Sequence, residues 1–279
     1  MPEPAMPSPD QLPTPDRDRL AAKPSKDRTL AMPSPDQLVE FYARSYSQGG
    51  AEGQLYARWR ALGARGKADH VIELCSRAGI LPRSTLEMGC GDGALLCELR
   101  SRGFGGELHG VEITMAAVEI AARRPEIHAV ELYDGRHLKE GEGERDLGIV
   151  SHVLEHVTEP AELLAELARV CGAVVVEVPL EDNLSARRRG KREHAEEVGH
   201  LQRLGRESAR AIVSQAGLRV VGEIEDPLPL EVHRFFAGTP AADAAATARW
   251  ATRKGLHRLA PGLARRLFTV HYACLCLPR

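Results

Sequence analysis

The chain is poor in aromatic side chains: Phe, Trp and Tyr make up only 4% of its 279 residues. A base-stacking platform for single-stranded nucleic acid needs more than that. Charge of either sign is not in excess either. A net charge of −2 gives no general pull toward nucleic acid or an anionic membrane surface. No run of 18 apolar residues occurs, and the Pro-rich, charged start carries no apolar h-region. A cytoplasmic protein with no membrane or nucleic-acid partner is expected. The six cysteines (Cys75, Cys90, Cys97, Cys171, Cys274, Cys276) form no C-x-x-C pair and are expected to be buried free thiols. Metal-ligand spacing is missing as well. The run His194–His200, HAEEVGH, is not H-E-x-x-H and has no third ligand at a recognisable distance, so no metal is expected.

What the chain does have is a 43% hydrophobic content, enough for one large core. Residues 1–36 read as a disordered Pro-rich tail, and 37–279 as the folded domain. The octapeptide AMPSPDQL occurs at Ala5–Leu12 and again at Ala31–Leu38, a local duplication too small for a repeat architecture. Deletion of residues 1–31 is expected to leave folding intact. From Leu38 to Ala78 the apolar spacing is helical. Then short apolar runs alternate with helical ones. Strands are expected at Ser84–Glu87, Glu107–Glu112, Ile127–Leu132, Asp146–Ser151 and Ala173–Val178, followed by LRVVGEIE and a terminal LFTVHYACLCLP. Helices are expected at Ala94–Arg102, Met115–Arg123, Pro160–Val170 and Glu207–Ala216. Such βαβ units build an α/β, Rossmann-like, doubly wound sheet with ligands beyond the C-terminal strand ends.

The stretch LEMGCGDGA (Leu86–Ala94) fits G-x-G-x-x-G/A at the end of the first strand, so a dinucleotide is one candidate ligand. Charge favours another. Glu87 and Asp92 would repel a pyrophosphate but attract the ammonium and sulfonium of S-adenosylmethionine. Glu112 ends the next strand, about twenty residues past the loop, where an acid accepts hydrogen bonds from ribose hydroxyls. That position suits either cofactor.

The successive motifs LEMGCGDGALL, GVEIT, YDGRHL, DLGIVSHVLEHVTEPAELLAELARV and VVVEVPLEDN…GHLQRL resemble those of class I S-adenosylmethionine-dependent methyltransferases. The closer likeness is to bacterial small-molecule enzymes of the quinone and natural-product type. It covers roughly residues 41–222 and the final strand. The resemblance implies a seven-stranded sheet, six strands parallel and the last antiparallel, with N-terminal lid helices. It implies that Glu87 and the loop Gly89, Cys90, Gly91 and Gly93 hold the methionine end of the cofactor. Glu112 would bind the ribose, Ile113 would pack on the adenine, and Asp134 would stand near the adenine amine. Ser151 and His152 would lie by the sulfonium, and Tyr42 and Tyr46 would close over the cofactor or, equally, serve as core residues.

Methyl transfer needs alignment, water exclusion and, for some nucleophiles, a base. Among eleven histidines, His200 is the first candidate base and His152 the second, while His156 fastens the loop. The basic run Arg187, Arg188, Arg189, Lys191 and Arg192 is either a solvated face or a dock for an anionic substrate. The insertion at about 229–266 either shapes the substrate pocket or packs as a helix pair or homodimer surface. The expected activity is methyl transfer to an oxygen or nitrogen of a small molecule. An NAD(P)-dependent oxidoreductase and a non-catalytic S-adenosylmethionine-binding protein are the alternatives.

Overall fold

The computed structural model describes residue 46 and residues 50–279. The proposed tail and Tyr42 lie outside the described residues. A long helix α1 (Gly50–Arg77) leads into alternating elements: β1 (Ser84–Met88), α2 (Ala94–Ser101), β2 (Glu107–Glu112), α3 (Met115–Ala121), β3 (Ala129–Leu132) and β4 (Arg145–Ser151). A 3-10 turn (Leu154–His156) precedes α4 (Pro160–Val170) and β5 (Cys171–Leu180). Then come α5 (Arg189–Glu197), α6 (Arg206–Gln215), β6 (Leu218–Asp226), α7 (Leu230–Arg234), α8 (Pro240–Leu259), α9 (Pro261–Leu267) and β7 (Val270–Pro278).

The strands form one sheet in the order β3-β2-β1-β4-β5-β7-β6. β1 to β5 pair in parallel, whereas β7 runs antiparallel between β5 and β6. The expected seven-stranded topology is therefore present. Its last strand is inserted between two others.

Central strands are apolar on both faces because helices cover both. In β5, Val174, Val176 and Val178 face a core shared with α4, α6 and α9, while Ala173 and Val175 face a second core shared with α1 and α2. β7 repeats this pattern: Tyr272, Cys274 and Cys276 on the first face, Ala273 and Leu275 on the second. Each large side chain so buried contributes about 1.5–3 kcal/mol. All six cysteines are free thiols, and Cys274 and Cys276 share a face, their sulfurs 3.6 Å apart. α4 starts with Pro160 in its first turn, where the missing N–H costs nothing. Thr239 caps α8 by accepting from the Ala242 N–H at 3.2 Å.

The 229–266 insertion is a set of three helices: α7 packs on α1, and α9 places Ala264 in the first core, on the other face of the sheet. Trp59 of α1 packs on Phe235 and Phe236 with ring centroids 5.2 and 5.0 Å away. No described helix is long and apolar enough to cross a membrane.

Candidate active site

The C-terminal ends of β1, β2, β4 and β5 meet on one edge of the sheet, and the glycine loop turns there. Gly89 and Cys90 both donate their N–H to Val111 O of β2, at 2.8 and 3.1 Å. This pulls the chain across the neighbouring strand end. Gly89, Gly91 and Gly93 have φ of 72, 55 and 76°, a region open to glycine and strained for other residues. Space is as restrictive as torsion. A Cβ on Gly91 would sit 2.5 Å from the Tyr46 hydroxyl, and one on Gly89 2.6 Å from Val153 Cγ2. The loop is thus a thin wall between Tyr46 and the end of β4, and α2 begins immediately after it.

Three acids serve this loop in different ways. Glu112 is buried; its Oε2 accepts from the Gly91 N–H at 3.0 Å, and Oε1 from Ile113 and Thr114 at 2.7 and 3.3 Å. It ties the end of β2 to the loop tip and keeps a share of its carboxylate lone pairs for a ligand hydroxyl. Burial raises its pKa, against those backbone bonds. Asp92, also buried, pairs with Arg60 Nε at 2.8 Å and lies 3.6 Å from Arg124. Its charge is already compensated, so the expected double negative field of Glu87 and Asp92 does not stand in the ligand-free protein, and Glu87 is the carboxyl left without a partner. The Arg60 guanidinium also stacks 4.9 Å over the Tyr46 ring, holding it against the loop.

Glu87 is the unsatisfied member. It is 4% exposed, and its Oε2 has no hydrogen-bond partner among the described residues. Burial pushes its pKa up to about 8, helped by Asp92 and Glu112 and opposed by Lys67. A buried carboxyl of this kind lacks a cation or donor. The Oγ of Ser151 and of Thr114 are likewise buried without partners. These orphaned groups around a glycine wall fit the ammonium and polar atoms of S-adenosylmethionine.

Across the sheet edge lie the histidines. His200 Nδ1 is 2.8 Å from Glu181 Oε2, and its ring meets that of His156 edge-on at 4.8 Å. Leu201 and Gln202 donate their N–H groups to Glu155 O at 2.8 and 3.1 Å, so the loop carrying His200 is strapped over the end of β4. His156 Nδ1 meets Gly199 O at 3.1 Å, the fastening role expected of it. His152 has φ 59°, a strained conformation for a non-glycine residue and one that clusters at functional sites. Both of its ring nitrogens are engaged, Nδ1 at 3.2 Å from Glu155 and Nε2 at 3.0 Å from His271 Nδ1. His200 Nε2 makes no hydrogen bond among the described residues, which makes His200 the better base candidate.

Other predicted residues are placed more loosely. Ile113 is half-buried against the core. Asp134 is exposed, and its Oδ1 accepts from the Arg136 and His137 N–H groups at 2.7 and 2.8 Å, closing its own turn. Sequence reasoning passed over Arg60, Lys67, His70, Glu155, Glu177 and His271. Only Glu177 advertised itself, as an acid inside the apolar run VVVEVP. Burial works against charging His70, but the carboxylates of Asp226 and Glu177 outweigh it and carry its pKa up to about 10.

A 3-2-1-4-5-7-6 sheet with a left-handed glycine loop after β1 and an acid closing β2 defines the class I methyltransferase fold. The comparisons agree. The family described as "Methyltransferase domain" matches residues 56–223, and the chain belongs to that family. Geranyl diphosphate C-methyltransferase from Streptomyces coelicolor A3(2), solved with Mg2+, geranyl diphosphate and S-adenosyl-L-homocysteine, is similar in fold: TM-score 0.61 at 13% identity, over 88% of this chain and 99% of that one. A phosphoethanolamine N-methyltransferase 2 from Haemonchus contortus, with phosphomonomethylethanolamine and S-adenosylhomocysteine, gives TM-score 0.58 at 12% identity, over 87% and 61% of the two chains. An uncharacterized 37.1 kDa protein in transposon TN4556 of Streptomyces fradiae is 36% identical over 109 residues, which span 37% of this chain and 32% of that protein. This chain thus matches about a third of the curated relative's length.

Proposed function

We infer that the chain transfers the methyl group of S-adenosylmethionine to an oxygen or nitrogen of a small molecule in the cytoplasm. The observation that carries this is Glu87, buried without a partner for Oε2 behind a glycine loop that Glu112 holds open. Bound there, S-adenosylmethionine supplies an electrophilic methyl group on a sulfonium. Glu87 would meet the ammonium and Glu112 the ribose. Tyr46, pinned by Arg60, closes the wall on the loop side. Placing the two reactants together is worth up to roughly 7–11 kcal/mol, so positioning does most of the catalysis. His200 takes the proton of the nucleophile. With Nδ1–H donated to Glu181, the lone pair sits on Nε2.

An anionic substrate fits the exposed Arg187, Arg188 and Arg189 beside this edge. The two fold neighbours described above hold phosphate-bearing substrates, which supports that choice.

Calorimetric titration with S-adenosylmethionine, S-adenosylhomocysteine, NADH and NADPH tests the reading. Binding of the two sulfur nucleosides, weakened in Glu112→Ala, is expected. Binding of NADH or NADPH in their place would transfer the chain to the oxidoreductases. Cofactor binding with no methylated product from any cell extract would leave the non-catalytic reading standing.

A further inference from the structure

The geometry points to a site for a first-row transition-metal dication, held by His152, Glu177 and His271 at the acceptor end of the sheet. The three residues are far apart in sequence and come from three neighbouring strands. His152 follows β4 directly, Glu177 lies opposite Ser151 in the β4–β5 ladder, and His271 opposite Pro179 in the β5–β7 ladder. The His152 N–H donates to Glu177 O at 2.9 Å, so backbone pairing brings the first two together. Their donor atoms form a triangle: His152 Nε2 to His271 Nδ1 3.0 Å, His271 Nδ1 to Glu177 Oε1 3.5 Å, and His152 Nε2 to Glu177 Oε1 3.7 Å. Metal–nitrogen bonds of about 2.1 Å at octahedral or tetrahedral angles put neighbouring donors about 3.0–3.4 Å apart. The observed triangle is close to one face of such a polyhedron.

Protein alone does not explain this arrangement well. The Glu177 oxygen makes only long contacts with the two rings, 3.5 and 3.7 Å, and two imidazole nitrogens at 3.0 Å can share only one proton between them. A dication satisfies all three donors together. The surroundings also place polar groups behind the three donors, as around ligating residues. His152 Nδ1 faces Glu155 Oε1 at 3.2 Å. Glu177 Oε2 lies 3.5 Å from His70 Nδ1, and His70 Nε2 is 3.5 Å from Asp226. Glu155 and Glu177 are each 1% exposed, yet both Glu155 oxygens and Glu177 Oε2 lack a hydrogen-bond partner among the described residues. His152 reaches the triangle from a left-handed backbone, φ 59°.

Two imidazoles and one carboxylate select Fe2+, Co2+, Ni2+ or Zn2+ over Mg2+ or Ca2+, which prefer oxygen. Three protein donors leave positions open on the side where His152 is partly exposed. An oxygen or nitrogen of the methyl acceptor can occupy one of them, orienting the nucleophile and lowering its pKa. That role rests on the methyltransferase reading; the metal site itself does not.

The test is titration of the EDTA-stripped full-length protein with Co2+, read by its visible d–d absorption. One saturable site per chain is expected, with affinity reduced at least about tenfold in Glu177→Gln and in His271→Gln. His200→Gln and His128→Gln should bind Co2+ like the parent; they probe the neighbouring Glu155–His156–His200 group and the Glu107–His109–His128 group near the N-terminal end of β2. S-adenosylhomocysteine binding by each variant reports that it is folded. X-ray absorption of the Co2+-loaded parent should show scattering from two imidazoles, a measurement that needs no variant. Absence of saturable binding, equal binding by Glu177→Gln and His271→Gln, or loss that follows His200 or His128 would overturn the site. Loss of S-adenosylhomocysteine binding by the parent with Co2+ binding intact would overturn the proposed function and leave the metal site in place.

Discussion

His200 Nδ1 stands 2.8 Å from Glu181 Oε2, joining the end of β5 to the loop after α5. A carboxylate on one imidazole nitrogen fixes the tautomer and leaves the other nitrogen as the acceptor. In the proposed reaction, the contact would give a direction to the proton that a nucleophile must lose.

Replacing His200 by Ala should lower turnover at least tenfold, within the roughly 10²–10⁴ that general-base catalysis supplies. Binding of S-adenosylmethionine should be unchanged by calorimetry. Glu181→Gln should give a smaller loss in kcat. Near-normal turnover in His200→Ala would remove this residue as the base.

Glu87 should link cofactor binding to protons. A free glutamate ionises near 4.5, whereas burial, with Asp92 and Glu112 adding and Lys67 opposing, holds Glu87 protonated up to about 8. Between these values the folded protein retains a proton that the unfolded chain has released. Stability should therefore fall as pH rises through that window, and Glu87→Gln should lose this slope. An ammonium beside Glu87 favours its ionised form, so binding below pH 8 should release a proton and tighten as pH rises. Calorimetry in buffers of different ionisation enthalpy reads that proton directly; a zero count at pH 7 would refute the pairing.

The Arg60–Asp92 pair predicts a structural cost. Asp92 is almost wholly buried, while Arg60 is a quarter exposed. Breaking a buried pair costs about 3–5 kcal/mol. Because Arg124 stands 3.6 Å from the same carboxylate, Arg60→Ala should cost less, about 1–3 kcal/mol in urea titration. It should also weaken cofactor binding, since Tyr46 loses the guanidinium stacked on its ring. Unchanged stability and unchanged affinity would show that Arg124 alone suffices.

Reversing Arg188 and Arg189 to Glu should raise KM for an anionic substrate several-fold at low salt and leave kcat in place. Both residues are exposed, so added salt should shrink the difference. An unchanged KM at low salt would assign the run to a solvated face. Arg189 already pairs with Glu193 at 2.7 Å, so Arg188 should carry more of the effect.

Much of the architecture was readable in the order of residues. All five parallel-strand and all four helix expectations fall within a few residues of the observed elements, because both-face burial leaves short apolar runs and glycine or proline marks their ends. The loop Gly89–Gly93 and the acid Glu112 were also legible, being local: a tight turn at one strand end and an acid at the next. Asp134 was less so. Its spacing was right for a strand-end acid, yet its carboxylate closes its own turn.

Sequence alone determined the class of fold and the position of the glycine loop, since both follow from periodicity and from backbone torsions that only glycine takes easily. Tertiary structure decided which carboxyls find a partner: Arg60 neutralises Asp92 across 32 residues, and Glu87 is left alone. It also decided that His152, Glu177 and His271 share one point, through strand pairing between β4, β5 and an antiparallel β7. Spacing along a chain cannot report such convergence, because sheet register, and not sequence distance, sets which side chains meet.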